Sequence, residues 1–136
     1  MAGRFVQRTV LIDDSDIDLF IQRRFLEVYN FSDELRQYKS AEAALDWLQK
    51  LNGQEAPPDV IFLDLNMPDA DGFSFLNHFN TLPEKIRDKS KIVVLTSSNS
   101  AKDREHAFTF SNVVQFITKP LKQTDIDELK RLMTNK

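Results

Sequence analysis

The segment DVIFLDLNMPDADG, residues 59–72, gives the strongest indication of the fold. Its apolar run Val60–Leu63 is uninterrupted, which is typical of a strand that helices cover on both faces of a parallel sheet. We therefore predict that this run is the central strand. Asp64 follows it directly, and an earlier apolar run, Val10–Ile12, is followed in the same way by a pair of aspartates. Two strands of the predicted sheet thus end in acidic side chains.

Short apolar runs alternate with amphipathic segments along the chain, which is the pattern of repeated βα units around a parallel sheet. The sequence predicts an α/β fold with five parallel strands and five helices. The predicted strands are Arg8–Ile12, Glu34–Tyr38, Val60–Leu63, Lys91–Leu95 and Val114–Thr118. The predicted helices run from Ser15 to about Tyr29, from Ser40 to a break at Gly53–Pro58, over Gly72–Asn80 and Ser100–Phe108, and from Thr124 to about Thr134. The polar stretch Leu82–Ser90 is predicted to be a loop.

Three of these helices carry apolar residues at spacings of three and four, so each is predicted to bury one face. In the first helix this face consists of Ile17, Phe20, Ile21, Phe25 and Val28. In the second it consists of Ala41, Ala44, Leu45, Leu48 and Leu51, and in the last of Ile126, Leu129 and Met133. Ser15 and Ser40 are the predicted N-caps.

The bulk composition limits the class of protein. A length of 136 residues suits one core, so we expect a single domain, 1–136, with its core at about 8–134 and no output domain of its own. A net charge of −3 without a basic run argues against nucleic-acid binding, and the absence of cysteine excludes disulfides and thiolate metal sites. The segment Met1–Arg8 is mixed and polar, and no apolar run approaches the roughly 20 residues that span a bilayer. We expect a cytoplasmic protein without a membrane segment.

Polar residues collect at the predicted carboxyl ends of the strands, which share one edge of a parallel sheet and form the ligand-binding edge of open α/β folds. They are Asp13 and Asp14 after the first strand, Asp64 after the third, Thr96 after the fourth and Lys119 after the fifth. Carboxylates a few ångströms apart repel by roughly 4 kcal/mol per close pair at an effective dielectric near 20, and one lysine cannot neutralise three of them. An all-oxygen set without His or Cys suits Mg²⁺. The sequence predicts a weak Mg²⁺ site at which a phosphoryl group would also bind.

Asp64 is then the predicted nucleophile, because aspartyl carboxylates accept phosphoryl groups when charge is neutralised nearby. Lys119 and the Thr96 hydroxyl would hold the other phosphate oxygens, and all three act in a reaction that depends on positioning and electrostatics. The chain has only 3 glycines and no G-x-x-x-x-G-K pattern, so the phosphoryl donor must come from outside.

These residues also have purely structural explanations. Asp14 and Ser15 lie where a helix needs a cap, a lysine at a strand end is often only solvated, and threonine favours strands. The spacing Asp64-x-Asn66 is compatible with a calcium loop, but Pro68 occupies the next ligand position and argues against it.

Taken together, the motifs resemble those of the receiver domain of two-component response regulators, similar in layout to the single-domain chemotaxis regulator. The matching marks are Asp13-Asp14, Asp64-Leu-Asn-Met-Pro-Asp-x-Asp-Gly72, Thr96-Ser97 and Lys119-Pro120. The resemblance covers nearly the whole chain. It implies a flavodoxin-like fold with the strand order 2-1-3-4-5.

The resemblance implies a role for each site residue. Asp64 would be the phosphoacceptor, Asp14 and Asp64 direct Mg²⁺ ligands, and Asp13 a ligand through water. Asn66 would contribute its backbone carbonyl. Lys119 would contact the phosphoryl group, and the peptide bond that follows it would be cis.

The resemblance also implies a switch. Thr96 would move to the phosphate, and Phe116 would move inward behind it. Phenylalanine lacks the hydroxyl of the tyrosine that is commonest at this position, so the movement of its ring would change only packing contacts and no hydrogen bond. Asn66 and Ser98 occupy the positions that tune the lifetime of the acyl phosphate in this family. The face with Phe108, Phe110, Phe116 and the last helix is the candidate partner surface, although its rings are equally compatible with a place in the core.

We expect a phosphoacceptor switch that a histidine kinase or phosphotransfer protein phosphorylates and that signals by contact with an unknown downstream protein. It would be a monomer or a phosphorylation-dependent dimer, with no catalysis beyond autophosphorylation and slow self-dephosphorylation. One alternative is a phosphatase of the haloacid dehalogenase type, which needs a second Asp two residues after the nucleophile, where this chain has Asn66. Another is a receiver that acts as a phosphorylation-independent interaction module.

Overall fold

The computed structural model describes residues 5–51, 55–67 and 72–134. Gly53 and the motif residues Pro68, Asp69 and Asp71 lie outside them. The strands are β1 (Val6–Ile12), β2 (Ser32–Tyr38), β3 (Val60–Leu63), β4 (Lys91–Thr96) and β5 (Val113–Thr118). The helices are α1 (Asp16–Val28), α2 (Ala41–Gln49), α3 (Gly72–Phe79), α4 (Glu84–Lys89), α5 (Ala101–Phe108) and α6 (Gln123–Thr134).

All five strands pair in parallel, in the order β2-β1-β3-β4-β5. The predicted α/β fold and strand order are confirmed, with β3 in the centre and β2 at an edge. Every side chain of β3 is buried, as its uninterrupted apolar sequence predicts.

The prediction of a loop at Leu82–Ser90 was wrong, because this segment contains the short helix α4. The described residues therefore form six helices, one more than predicted. Pro83 starts this helix, and Ile86 is buried against the core. One buried apolar residue in a helix of six residues is too weak a periodic signal to be recognised in the sequence.

The core has two layers because successive residues of a strand point to opposite faces of the sheet. Leu11, Phe62 and Val93 face one layer, which also contains the buried residues of α1 and α6. The opposite layer contains the alternate strand residues with the buried residues of α2 and α3. The predicted inner faces of α2 and α6 are confirmed, with Leu51 and Met133 partly buried at their ends.

The predicted buried face of α1 was wrong. Four of its five residues are exposed: Ile17, Phe20, Ile21 and Val28, and Phe20 is 65% exposed. Phe25 is partly buried. The buried residues are instead Leu19, Gln22 and Leu26, which also recur at spacings of three and four. The stripe of α1 that faces the sheet therefore contains a buried glutamine as well as two leucines.

None of the described helices combines the length and the apolar composition needed to cross a bilayer.

Gly72 starts α3 where the backbone passes very close to the segment after β3. Its amide donates to the carbonyl of Leu65 at 3.1 Å. A Cβ at this position would lie 2.6 Å from Leu65 Cδ2, 2.7 Å from Leu65 Cα and 3.0 Å from the carbonyl oxygen of Asp64. The backbone atoms cannot move away without displacing the residues after β3.

We predict that Gly72→Ala lowers the free energy of unfolding by about 1–3 kcal/mol, as expected for overpacking against fixed atoms. Urea denaturation measures this. Asn77→Ala, at an exposed position of the same helix, is the matched control and should change the free energy of unfolding by less than about 0.5 kcal/mol. Equal stability of the two variants would contradict the close approach.

Candidate functional site

Three carboxylates converge at the carboxyl ends of β1 and β3. One oxygen from each of Asp13, Asp14 and Asp64 lies within 4.8 Å of the others. The two strands are neighbours, and the amide of Asp64 donates to the carbonyl of Ile12 at 3.0 Å. The predicted meeting of these distant residues is therefore confirmed.

The three carboxylates differ in their surroundings. Asp13 is 1% exposed; its Oδ1 accepts from the Ser15 amide at 3.0 Å, and its Oδ2 accepts from Gln22 Nε2 at 3.1 Å. Asp64 is also buried, and its Oδ1 accepts from the Asn66 amide at 3.0 Å. Asp14 is exposed to solvent. Asp13 thus has a fixed position, whereas Asp14 is accessible to a ligand from solution.

Lys119 lies among these carboxylates at the end of β5. Its Nζ is 2.7 Å from Asp18 Oδ2, 2.8 Å from Asp13 Oδ2 and 3.4 Å from Asp64 Oδ2. Burial alone would lower the pKa of the ammonium, but the hydrogen bonds to Asp13 and Asp18 and the charge of Asp64 outweigh it, so the pKa is raised above its ordinary value. The ammonium therefore stays charged at neutral pH. The peptide bond to Pro120 is cis, as the resemblance implied.

Two residues of this site, Asp18 and Gln22, were missed in the sequence. Both lie on α1, four residues apart, and Asp14 lies four residues before Asp18. Residues with this spacing share one face of a helix. That spacing was the available signal. The stripe of α1 that faces the sheet thus combines two buried leucines with Gln22, which donates to Asp13.

Asn66 connects the segment after β3 with the end of β4. Its side-chain amide donates to Thr96 Oγ1 at 3.0 Å and to Ser97 Oγ at 3.3 Å. Thr96 is fully buried, and its Oγ1 also accepts from the Ser98 amide at 3.3 Å. Through its backbone amide Asn66 contacts Asp64 as well. The Thr96 hydroxyl is thus linked to Asp64 by way of Asn66.

Ser98 contacts the start of α5. Its hydroxyl donates to Asp103 Oδ2 at 2.7 Å and accepts from the Ser100 amide at 3.2 Å. Ser100 is the N-cap of α5 and accepts from the Asp103 amide. The hydroxyl-rich segment after β4 therefore stabilises the first turn of this helix.

The three phenylalanines of the candidate partner surface differ in their burial. Phe110 is buried and belongs to the core, while Phe116 is half-buried and packs against it. The guanidinium of Arg104 lies 5.1 Å from the ring of Phe108 and 5.9 Å from that of Phe116. Of the three phenylalanines only Phe108 is exposed. Phe116 is partly covered from outside by Arg104, so an inward move would break this contact.

The oxygen atoms at this edge suit a hard divalent cation. Asp13, Asp14 and Asp64 supply only carboxylate oxygens, the ligands that Mg²⁺ prefers. With Asp18 they carry four formal negative charges, and the Lys119 ammonium carries one positive charge. A divalent ion would therefore reduce the repulsion that remains.

Comparison with known proteins gives a consistent result. The sequence model of the family described as "Response regulator receiver domain" matches residues 9–131. A response regulator receiver protein from Dyadobacter fermentans is 33% identical with a TM-score of 0.82, over 93% of this chain and 98% of that one. A two-component response regulator from Cytophaga hutchinsonii is 26% identical with a TM-score of 0.85, over 96% and 98% of the two chains.

The match also extends to a larger protein. Hybrid signal transduction histidine kinase L of Dictyostelium discoideum is 25% identical over 128 residues, which is 93% of this chain. The chain corresponds to only 7% of the length of that kinase.

Proposed function

The chain belongs to the response regulator receiver domain family, whose members are phosphoacceptor switches of two-component signalling, and we propose that Asp64 is its phosphoacceptor. The observation that carries this proposal is the placement of Asp64 beside two further carboxylates and the Lys119 ammonium at the ligand-binding edge of the sheet. A receiver domain is a signalling switch and not a classical enzyme. The catalysis left to this chain is transfer to its own carboxylate and slow hydrolysis of the product.

In the transfer step a carboxylate oxygen of Asp64 attacks the phosphorus of the donor. The new bond is the P–O bond of an acyl phosphate, and the bond between phosphorus and the donor atom breaks, with its electron pair leaving on the donor. Lys119 supports this step because its ammonium rests 3.4 Å from the Asp64 carboxylate and carries the positive charge that stabilises a phosphoryl oxygen.

Receiver domains bind Mg²⁺ at an acidic pocket, and we assign Asp14 and Asp64 as its direct ligands here. Asp14 is solvent-exposed. Asp13 accepts three hydrogen bonds, from Ser15, Gln22 and Lys119, one more than Asp64 accepts, which supports a contact of Asp13 through water. The Asn66 backbone carbonyl would complete the protein ligands. When bound, Mg²⁺ neutralises the charge that develops on the transferred phosphoryl group.

The signal would start at Thr96. The Thr96 hydroxyl accepts from Asn66 in the structure, and a movement of Thr96 towards a phosphoryl oxygen would change that contact. The same movement would open space for Phe116, which packs beside β4 in the core layer. We propose that β4, α5 and β5 form the part of the surface that changes.

We propose that a histidine kinase or a phosphotransfer protein supplies the phosphoryl group, because the sequence has no nucleotide-binding loop of its own. The downstream protein is of unknown identity. The single-domain organisation, the cytoplasmic location and the state as a monomer or a phosphorylation-dependent dimer stay predictions.

The test is direct mapping of the label. The protein is incubated with Mg²⁺ and acetyl phosphate, the acyl phosphate is trapped by borohydride reduction, and the modified residue is identified by peptide mass spectrometry. We expect a Mg²⁺-dependent modification at residue 64. Modification at another carboxylate would overturn the assignment.

The same preparation tests the two alternatives. Sustained turnover of a generic phosphomonoester would favour a phosphatase, but Asn66 uses its side-chain amide to hold Thr96 and offers no carboxylic acid as proton donor. A partner that binds equally well with and without the phosphoryl analogue beryllofluoride would favour an interaction module independent of phosphorylation.

A further inference from the structure

We propose that Asp18 is a positioning residue that holds Lys119 in its resting orientation and opposes transfer of the ammonium to the phosphoryl group. This inference rests on the proposed role of Asp64. It concerns how readily the site changes from the resting to the phosphorylated state.

The geometry of the ammonium supports this role. Lys119 Nζ lies 2.7 Å from Asp18 and 2.8 Å from Asp13, and the 3.4 Å to Asp64 is the longest of the three distances. An ammonium has three N–H donors, and the two short contacts engage two of them. The Lys119 side chain is only 17% exposed, so these carboxylates and not solvent determine where the amine rests.

Asp13 and Asp18 contribute to this position in different ways. Asp13 is buried and receives further hydrogen bonds from Ser15 and Gln22, so it is a fixed part of the site. The Asp18 side chain is 38% exposed, and water can solvate its carboxylate when the lysine leaves. Of the two partners Asp18 is therefore the one that Lys119 can exchange for a phosphoryl oxygen.

Charge makes Asp18 a competitor of the phosphoryl group. An acyl phosphate on Asp64 adds negative charge beside the same ammonium. The Asp18 carboxylate both competes for that ammonium and repels the added charge. Neutralising Asp18 removes both effects, and so it should favour the phosphorylated state.

The experiment measures the affinity for beryllofluoride at saturating Mg²⁺ by isothermal titration calorimetry. Asp18→Asn is compared with Asp16→Asn, a matched control in the same helical turn. Both variants lose one negative charge, but Asp16 is 78% exposed and bonds to Lys39 at 3.0 Å instead of Lys119. We expect Asp18→Asn to bind beryllofluoride about fivefold more tightly than Asp16→Asn, the size expected for one partly exposed charge-assisted hydrogen bond. Asp18→Ala, which offers no acceptor oxygen to Lys119, should show at least the same gain.

The outcomes separate this inference from the function on which it rests. Equal affinities of the Asp18 and Asp16 variants for beryllofluoride would overturn this inference. Weaker binding by Asp18→Asn would also overturn it, because it would mean that Asp18 helps Lys119 to reach the phosphoryl group or only stabilises the fold. Urea denaturation without ligand confirms that each variant is folded. If the wild-type protein itself failed to bind beryllofluoride, or if Asp64→Ala still bound it, the proposed function would fail instead.

Discussion

We expect Asp64→Asn to abolish labelling by acetyl phosphate, a loss of at least about 1,000-fold in the rate, because the neutral amide oxygen of asparagine cannot replace the carboxylate as the proposed nucleophile. Asparagine has the shape of aspartate, and its side-chain oxygen can still accept from the Asn66 amide. The loss should therefore appear without a loss of folding. The measurement is the rate of Mg²⁺-dependent labelling, followed by intact-protein mass spectrometry.

A matched control separates chemistry from charge. Asp46→Asn removes one carboxylate from α2, where Asp46 bonds to Lys50 at 3.1 Å, and should label at the wild-type rate. Removal of one of several repelling carboxylates should leave the free energy of unfolding of Asp64→Asn equal to the wild-type value or higher. Labelling that continues in Asp64→Asn would show that another residue is the acceptor.

Leu26→Ala is expected to lower the free energy of unfolding by about 2–5 kcal/mol, because it leaves a cavity in a packed layer. Leu26 is fully buried on the inner face of α1. Phe20→Ala on the same helix should change the free energy of unfolding by less than about 0.5 kcal/mol, although it removes the larger side chain. Phe20 is mostly exposed, so few of its contacts are lost. Urea denaturation of both variants gives the comparison.

The two values decide which face of α1 is buried. If Phe20→Ala proved to be the more destabilising variant, the helix would be rotated relative to the structure, and Gln22 could not reach Asp13. The relative stabilities therefore test the position of Gln22 and Asp18 independently of any phosphorylation experiment.

The sequence predicts the sheet well because a central parallel strand is buried on both faces and therefore has an uninterrupted apolar sequence. Val60–Leu63 was located to the residue. The face of α1 was misassigned because hydrophobic periodicity measures only the apolar contribution to burial. Two stripes of α1 recur at spacings of three and four, and the buried one consists of Leu19, Gln22 and Leu26, so periodicity did not distinguish them.

The candidate site was predictable to the same extent. Asp13, Asp14, Asp64 and Lys119 follow strands, and the topology of a parallel sheet brings strand ends together whatever the details of packing. The contact of Asp18 with Lys119 depends on the rotation of α1 about its own axis. The bond from Asn66 to Thr96 depends on a side-chain rotamer. The spacing of Asp18 and Gln22 indicates a common face of α1, but it determines neither the rotation of the helix nor the rotamer of Asn66.

The two contacts of Asn66 limit in different ways which substitutions this position can accept during evolution. Its backbone amide, which any residue except proline would supply, donates to Asp64, whereas the bond to Thr96 depends on the asparagine side chain. A substitution of Asn66 would therefore leave the contact with Asp64 and change the contact with Thr96. The Ser98 amide donates to Thr96 and its hydroxyl donates to Asp103 of α5, so a substitution there would leave the contact with Thr96 and change the contact with α5.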